Sequence, residues 1–179
     1  MKGIRKESCN LILMKPILSL LLSLVSIISG FSQAKTTTYA GIYSYGSSVK
    51  NGQVGLARIY PESDSTILFY LDLNRGAPSY NMGELYGRAV INGSKAIFRM
   101  NTGNIDTAVK GCKFSLEFKK DILVIRTVGI HNDCPFGGGV YADGKFSRIS
   151  KAIPQYFKDA QGRQIYFNKT KPERYNGPD

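Results

Sequence analysis

The chain contains no tryptophan, one histidine and only three cysteines in 179 residues, and each shortage removes a class of chemistry. With His131 as the sole imidazole, a Ser-His-Asp arrangement would have to be built on it, yet no Gly-x-Ser-x-Gly elbow is present to carry the nucleophile. Zinc takes three or four ligands, so His131 and Asp133 would have to recruit Cys112 and Cys134 as thiolates. Glycine is plentiful, but Gly137-Gly138-Gly139 lacks the helix start or the following Lys-Ser/Thr pair that turns a glycine loop into a phosphate cradle. Paired carboxylates could serve a glycosidase, with Glu62, Asp64, Asp72 and Glu84 available. No spacing singles out a pair, and Pro61-Glu62-Ser63-Asp64-Ser65 reads as a solvated turn. The sequence therefore assigns no catalytic residue, metal ligand or cofactor.

Long hydrophobic runs are also scarce, with one exception. Pro16 to Ser29 is apolar over about 14 residues, short of the roughly 20 that span a bilayer. Lys2, Arg5, Lys6 and Lys15 precede it, and Ser32-Gln33-Ala34 supplies small residues for signal-peptidase cleavage. Residues 1–34 thus read as a signal peptide, with Met14 as an alternative start and mature protein from Lys35, exported to the periplasm or beyond as a soluble product. Taking the leader's four basic residues and one acid from 24 and 13 leaves 20 against 12, a net charge of +8. That field favours anionic partners such as an envelope polymer or lipid head groups; it also keeps an exported protein soluble. Specific nucleic-acid binding is not indicated.

Cys9 leaves with the leader, and in an oxidising compartment Cys112 and Cys134 are expected to form a disulfide. Closing a loop of about 23 residues is worth about 3 kcal/mol by the chain-entropy argument.

From Tyr39 to Arg148 short runs rich in β-branched and aromatic residues alternate with turn signals such as Asn51-Gly52, Asn92-Gly93 and Lys119-Lys120-Asp121. About eight strands are predicted: Ile42–Tyr45, Val54–Tyr60, Thr66–Leu73, Leu85–Ile91, Ala96–Met100, Cys112–Phe118, Ile122–Val128 and Gly139–Phe146. In Cys112-Lys113-Phe114-Ser115-Leu116-Glu117-Phe118 the apolar residues fall on alternate positions and face a core. The fold class is all-β: a single antiparallel barrel over 35–150, with a two-sheet sandwich as the alternative. Closure removes exposed edges, and strand glycines 41, 55, 83 and 87 suit bent barrel strands. Residues 151–179 are expected to add a hairpin turning at Ala160-Gln161-Gly162, with Phe157, Ile165 and Phe167 packed inward, and a basic tail that frays beyond Asn168.

The loop Asn74 to Gly83 is longer than a hairpin requires. It combines the Arg75 guanidinium, the Ser79 hydroxyl, the Tyr80 ring and the Asn81 amide, the mixture a recognition loop uses for oriented hydrogen bonds and stacking. These four are the candidate binding residues.

The order Cys112-x-Phe-x-Leu-x-Phe, a short turn and Leu123-Val124-Ile125, then Cys134-x-Phe-Gly and Val140-x-Ala-Asp-Gly-x-Phe resembles the closing portion of small exported bacterial β-barrel proteins, including periplasmic lysozyme inhibitors. The resemblance implies a lipocalin-like barrel whose business is binding. The chain departs from the inhibitors in charge, since common lysozymes are themselves basic and repel a +8 partner, and no inhibitory residue carries over. The expectation is an exported non-catalytic binding protein. The alternatives are an envelope-polymer hydrolase, marked by two carboxyl groups about 5–9.5 Å apart in a cleft, and a structural or inhibitor protein of the periplasm.

Overall fold

The computed structural model describes residues 35–100, 111–129 and 134–175. The expected signal peptide, His131, Asp133 and the last four residues lie outside the described residues. A short helix, α1 (Lys35–Tyr39), leads into eight strands: β1 (Gly41–Tyr45), β2 (Val54–Pro61), β3 (Thr66–Asn74), β4 (Met82–Asn92), β5 (Lys95–Arg99), β6 (Lys113–Lys119), β7 (Ile122–Thr127) and β8 (Gly144–Ser150). Each pairs antiparallel with its sequence neighbour, and β1 pairs with β8, so the sheet closes into an up-and-down barrel. A hairpin of β9 (Tyr156–Lys158) and β10 (Gln164–Tyr166) follows, then α2 (Pro172–Tyr175).

Period-two alternation decides what faces inward. Phe114, Leu116 and Phe118 on β6 join Tyr43, Phe69, Phe98, Leu123, Ile125 and Phe146 in one continuous buried core. Gly87 earns its place here, because a Cβ would lie 2.5 Å from the Phe69 ring and 2.7 Å from Phe98. The barrel interior is thus filled by side chains, as suits a barrel of eight strands.

The eighth strand is displaced from its predicted position, Gly139–Phe146. Gly139 has φ +73°, which bends the chain out of extended geometry, and Val140 and Ala142 turn into the core. Asp143 accepts from the Thr127 amide at 3.0 Å and from the Thr127 hydroxyl. Pairing with β7 begins only at Gly144, and the strand runs on to Ser150 opposite Ile42.

Even-numbered connections and odd-numbered ones lie at opposite ends of an up-and-down barrel. Tight turns after β2, β4 and β6 occupy one end, where α1 packs: Tyr39 stacks on Phe118 at 4.5 Å and Arg148 donates to the Thr38 carbonyl at 2.7 Å. The longer connections after β1, β3, β5 and β7 share the other end.

The C-terminal region lies against the outer wall of β2–β4. Phe157 stacks on Tyr70 at 3.8 Å, Phe167 lies parallel to Tyr60 at 5.3 Å, and Tyr86 meets Phe157, Phe167 and Tyr175. Residues 169–175, where the sequence suggests fraying, are fastened: Tyr86 donates to the Thr170 carbonyl at 2.7 Å and Lys171 pairs with Glu62 at 2.7 Å.

Candidate functional site

All four candidate binding residues lie at the long-loop end, on the β3–β4 connection. The loop is folded against its neighbours. The Arg75 amide donates to the Asn81 carbonyl at 2.9 Å and the Tyr80 amide to the Gly76 carbonyl at 2.9 Å, while the Ala77 amide reaches the Val49 carbonyl of the β1–β2 loop at 2.8 Å.

The glycine loop after Cys134 completes the platform. Asn81 Nδ2 donates to the Gly138 carbonyl at 2.6 Å, Arg75 Nη1 approaches the same oxygen at 3.4 Å, and the Gly137 amide donates to the Met82 carbonyl at 3.0 Å. A Cβ on Gly139 would lie 2.4 Å from Arg75 Nη1, so glycine is what lets the guanidinium lie along this backbone. Phe136 covers Gly83 in the same way, and Cys112 and Cys134, at disulfide distance with Cα atoms 4.4 Å apart, anchor the loop to the core.

Arg75 and Asn81 are therefore partly occupied in joining two loops. Tyr80 is presented by them: it holds φ +52°, a left-handed conformation that a bulky residue keeps only when its surroundings over-determine it, and 48 % of its surface is exposed. Ser79 is exposed beside it. Met82 and Tyr141 are exposed at the same end. Phe136, Val140 and Ala142 pack over the core there, so among the described residues the barrel interior is filled by side chains and these exposed loop residues form an outer face.

A second arrangement lies just below, on the outer wall. Asp72 and Glu84 are direct cross-strand partners of β3 and β4, and both line a cleft of about 470 Å³ with Tyr70, Met82, Lys158 and Asp159. Asp72 also borders a shallower cleft of about 360 Å³ beside Tyr45 and Ser48. Glu84 is heavily engaged: Oε2 accepts from the Tyr70 hydroxyl at 2.6 Å and the Ala160 amide at 3.0 Å, and Oε1 from the Tyr175 hydroxyl at 3.5 Å. It ties the hairpin to the barrel. Burial raises the Asp72 carboxyl above its ordinary value; Arg58 opposes this and the facing Glu84 adds to it. Burial and the Glu84 hydrogen bond likewise raise the Tyr70 phenol.

Neither carboxylate was distinguishable in sequence, because their pairing depends on the register of β3 with β4. A signal existed: once Asn74 and Met82 are recognised as the pair closing the loop, counting outward places Asp72 opposite Glu84. Glu62, read in sequence as part of a solvated turn, is 16 % exposed and holds Arg88 and Lys171. Its partners come from β4 and the C-terminal end, which no local pattern reveals. No family model, curated protein or solved structure matches this chain.

Proposed function

We propose that the chain is an exported, non-catalytic binding protein of the bacterial envelope, meeting its partner through the long-loop end of the barrel. The observation that carries this reading is the junction at Gly138, where Arg75 and Asn81 converge on one carbonyl. That junction makes two loops a single platform and holds Tyr80 outward in a conformation an isolated loop would abandon. The filled interior supports an outer contact surface over an enclosed ligand site. The charged leader, the short apolar run and Ser32-x-Ala34 support export.

The test is co-sedimentation of the purified protein with isolated wall polymer and with membranes, assaying soluble fragments in the supernatant. Retention without fragment release, weakened by Tyr80→Ala, is expected. Release of fragments would overturn the reading in favour of a hydrolase.

That second reading has one observation in its favour. Asp72, its carboxyl raised by burial, lies directly opposite Glu84 in one cleft, and a pair of carboxyl groups in a cleft is what a glycosidase needs. Against it stand the three donors that occupy Glu84. Fragment release abolished by Asp72→Asn, with folding unchanged, would assign the activity to this cleft.

A further inference from the structure

The barrel register gathers cations that look scattered along the sequence. Arg99 is the last residue of β5, Lys113 the first of β6, Arg126 the last but one of β7 and Lys145 the second of β8, so each sits at the long-loop end of its strand. All four face outward, since the adjacent Phe98, Phe114, Ile125 and Phe146 belong to the core. Arg99 lies directly opposite Lys113. Arg126 opposes Ser115, two positions further along β6, and Lys145 opposes Val124, two positions back along β7. Direct cross-strand neighbours are about 5 Å apart and diagonal ones about 7–8 Å. The four therefore form a single file, one cation per strand, along half of the rim.

Among the described residues little neutralises this file. Glu117 is the one carboxylate on β5–β8 among the described residues, and it pairs with Lys119 at 3.4 Å. Asp143, at the same rim, is bonded to Thr127. Arg99, Lys113, Arg126 and Lys145 make no ion pair and no side-chain hydrogen bond among the described residues. Like charges directly opposite on a sheet are destabilising, so the Arg99–Lys113 pair is a cost to the isolated barrel that an anionic partner relieves. The carboxylates Asp72 and Glu84 sit on β3 and β4, away from this half of the rim.

We propose that this stripe binds a linear anionic polysaccharide, an inference that rests on reading the chain as a binding protein of the envelope and names its partner class. Curvature selects a chain over a flat surface. Eight strands closing a circle turn by about 45° each, so β5 and β8 face directions about 135° apart. A bilayer lying against the wall meets only part of such an arc, whereas a flexible polymer can follow it. Tyr80 is exposed at the same end and offers a ring with an apolar face and a polar edge on which a sugar ring can stack.

The experiment measures binding of the purified protein to immobilised polygalacturonate and, separately, to phosphatidylglycerol–phosphatidylcholine vesicles across a salt series. Arg126→Gln with Lys145→Gln is expected to weaken polygalacturonate binding about tenfold at low salt and to flatten its salt dependence. Lys169→Gln with Arg174→Gln removes the same charge elsewhere and is expected to change binding less than about twofold. Arg99→Gln with Lys113→Gln repeats the test with a pair whose loss relieves repulsion, so its melting temperature should hold or rise. Equal losses in the rim and control variants would overturn the stripe in favour of net charge alone. Binding to vesicles but not to polygalacturonate would overturn it in favour of a membrane surface. Retention on native wall polymer that depends on Tyr80 but ignores the rim variants sinks the stripe and leaves the proposed function standing. Retention of the native protein on no envelope material sinks both.

Discussion

Replacing Glu62 by Gln tests whether the ion-paired cluster on the outer wall stabilises the fold. The Glu62 carboxylate meets Arg88 Nε at 2.6 Å through Oε2, and Arg88 Nη2 at 2.9 Å and Lys171 Nζ at 2.7 Å through Oε1. Burial pushes this carboxyl up, but Arg88 and Lys171 more than offset it and hold it at about 2, against an ordinary 4.5. A depression of that size corresponds to about 3 kcal/mol at 1.36 kcal/mol per unit. Because Lys171 is half exposed and Arg88 partly so, solvent screening reduces the expectation to about 2 kcal/mol. The sign follows from the folded value lying below the unfolded one: the contribution is complete above about pH 4.5 and is lost as pH falls toward about 2. Urea unfolding followed by tyrosine fluorescence, the chain having no tryptophan, should show Glu62→Gln less stable than the native protein by about 2 kcal/mol at pH 7. The gap should shrink steadily between pH 4.5 and 2. A gap of the same size at pH 7 and pH 2 would refute the reasoning, since it would then come from packing or hydrogen bonding and not from charge.

Three further outcomes follow from packing and tethering. Phe157→Ala empties a fully buried site against Tyr70 and should cost about 3–5 kcal/mol, seen as limited proteolysis confined to residues 151–175 while the barrel stays resistant. Changing both Cys112 and Cys134 to Ser should lower unfolding free energy by about 3 kcal/mol, with reducing agent reproducing the loss in the native protein only. Asn81→Ala removes the 2.6 Å bond to the Gly138 carbonyl and should cost about 1 kcal/mol, with faster amide exchange at Gly137 as its local signature.

The barrel was legible because its information is local. Alternation in Lys113–Lys119 orients β6, Asn92-Gly93 marks the turn from β4 to β5, and the terminal hairpin announces itself through Phe157, Ile165 and Phe167. The eighth strand was misplaced because Gly139 to Phe146 has strand-like composition, while its path is set by Val140 and Ala142 reaching the core from a loop. The candidate loop was visible in its length and residue mix. What Arg75 and Asn81 grasp was not, since Gly138 lies more than fifty positions away. The rim stripe likewise depends on cross-strand register, which converts four separated cations into neighbours only once the sheet is assembled.

Closure of β1 on β8 makes the barrel an all-or-nothing object in time as well as in space. Ile42 finds its partner in Ser150, so the first strand keeps an unsatisfied edge until the last has been delivered. Every other wall contact joins sequence neighbours and can form progressively as a meander; only the final seam demands a long loop closure. A chain halted before Gly144 would hold two open edges and a tendency to pair with its like. The seam sets the moment at which a growing sheet ceases to be an aggregation hazard and becomes a wall without edges.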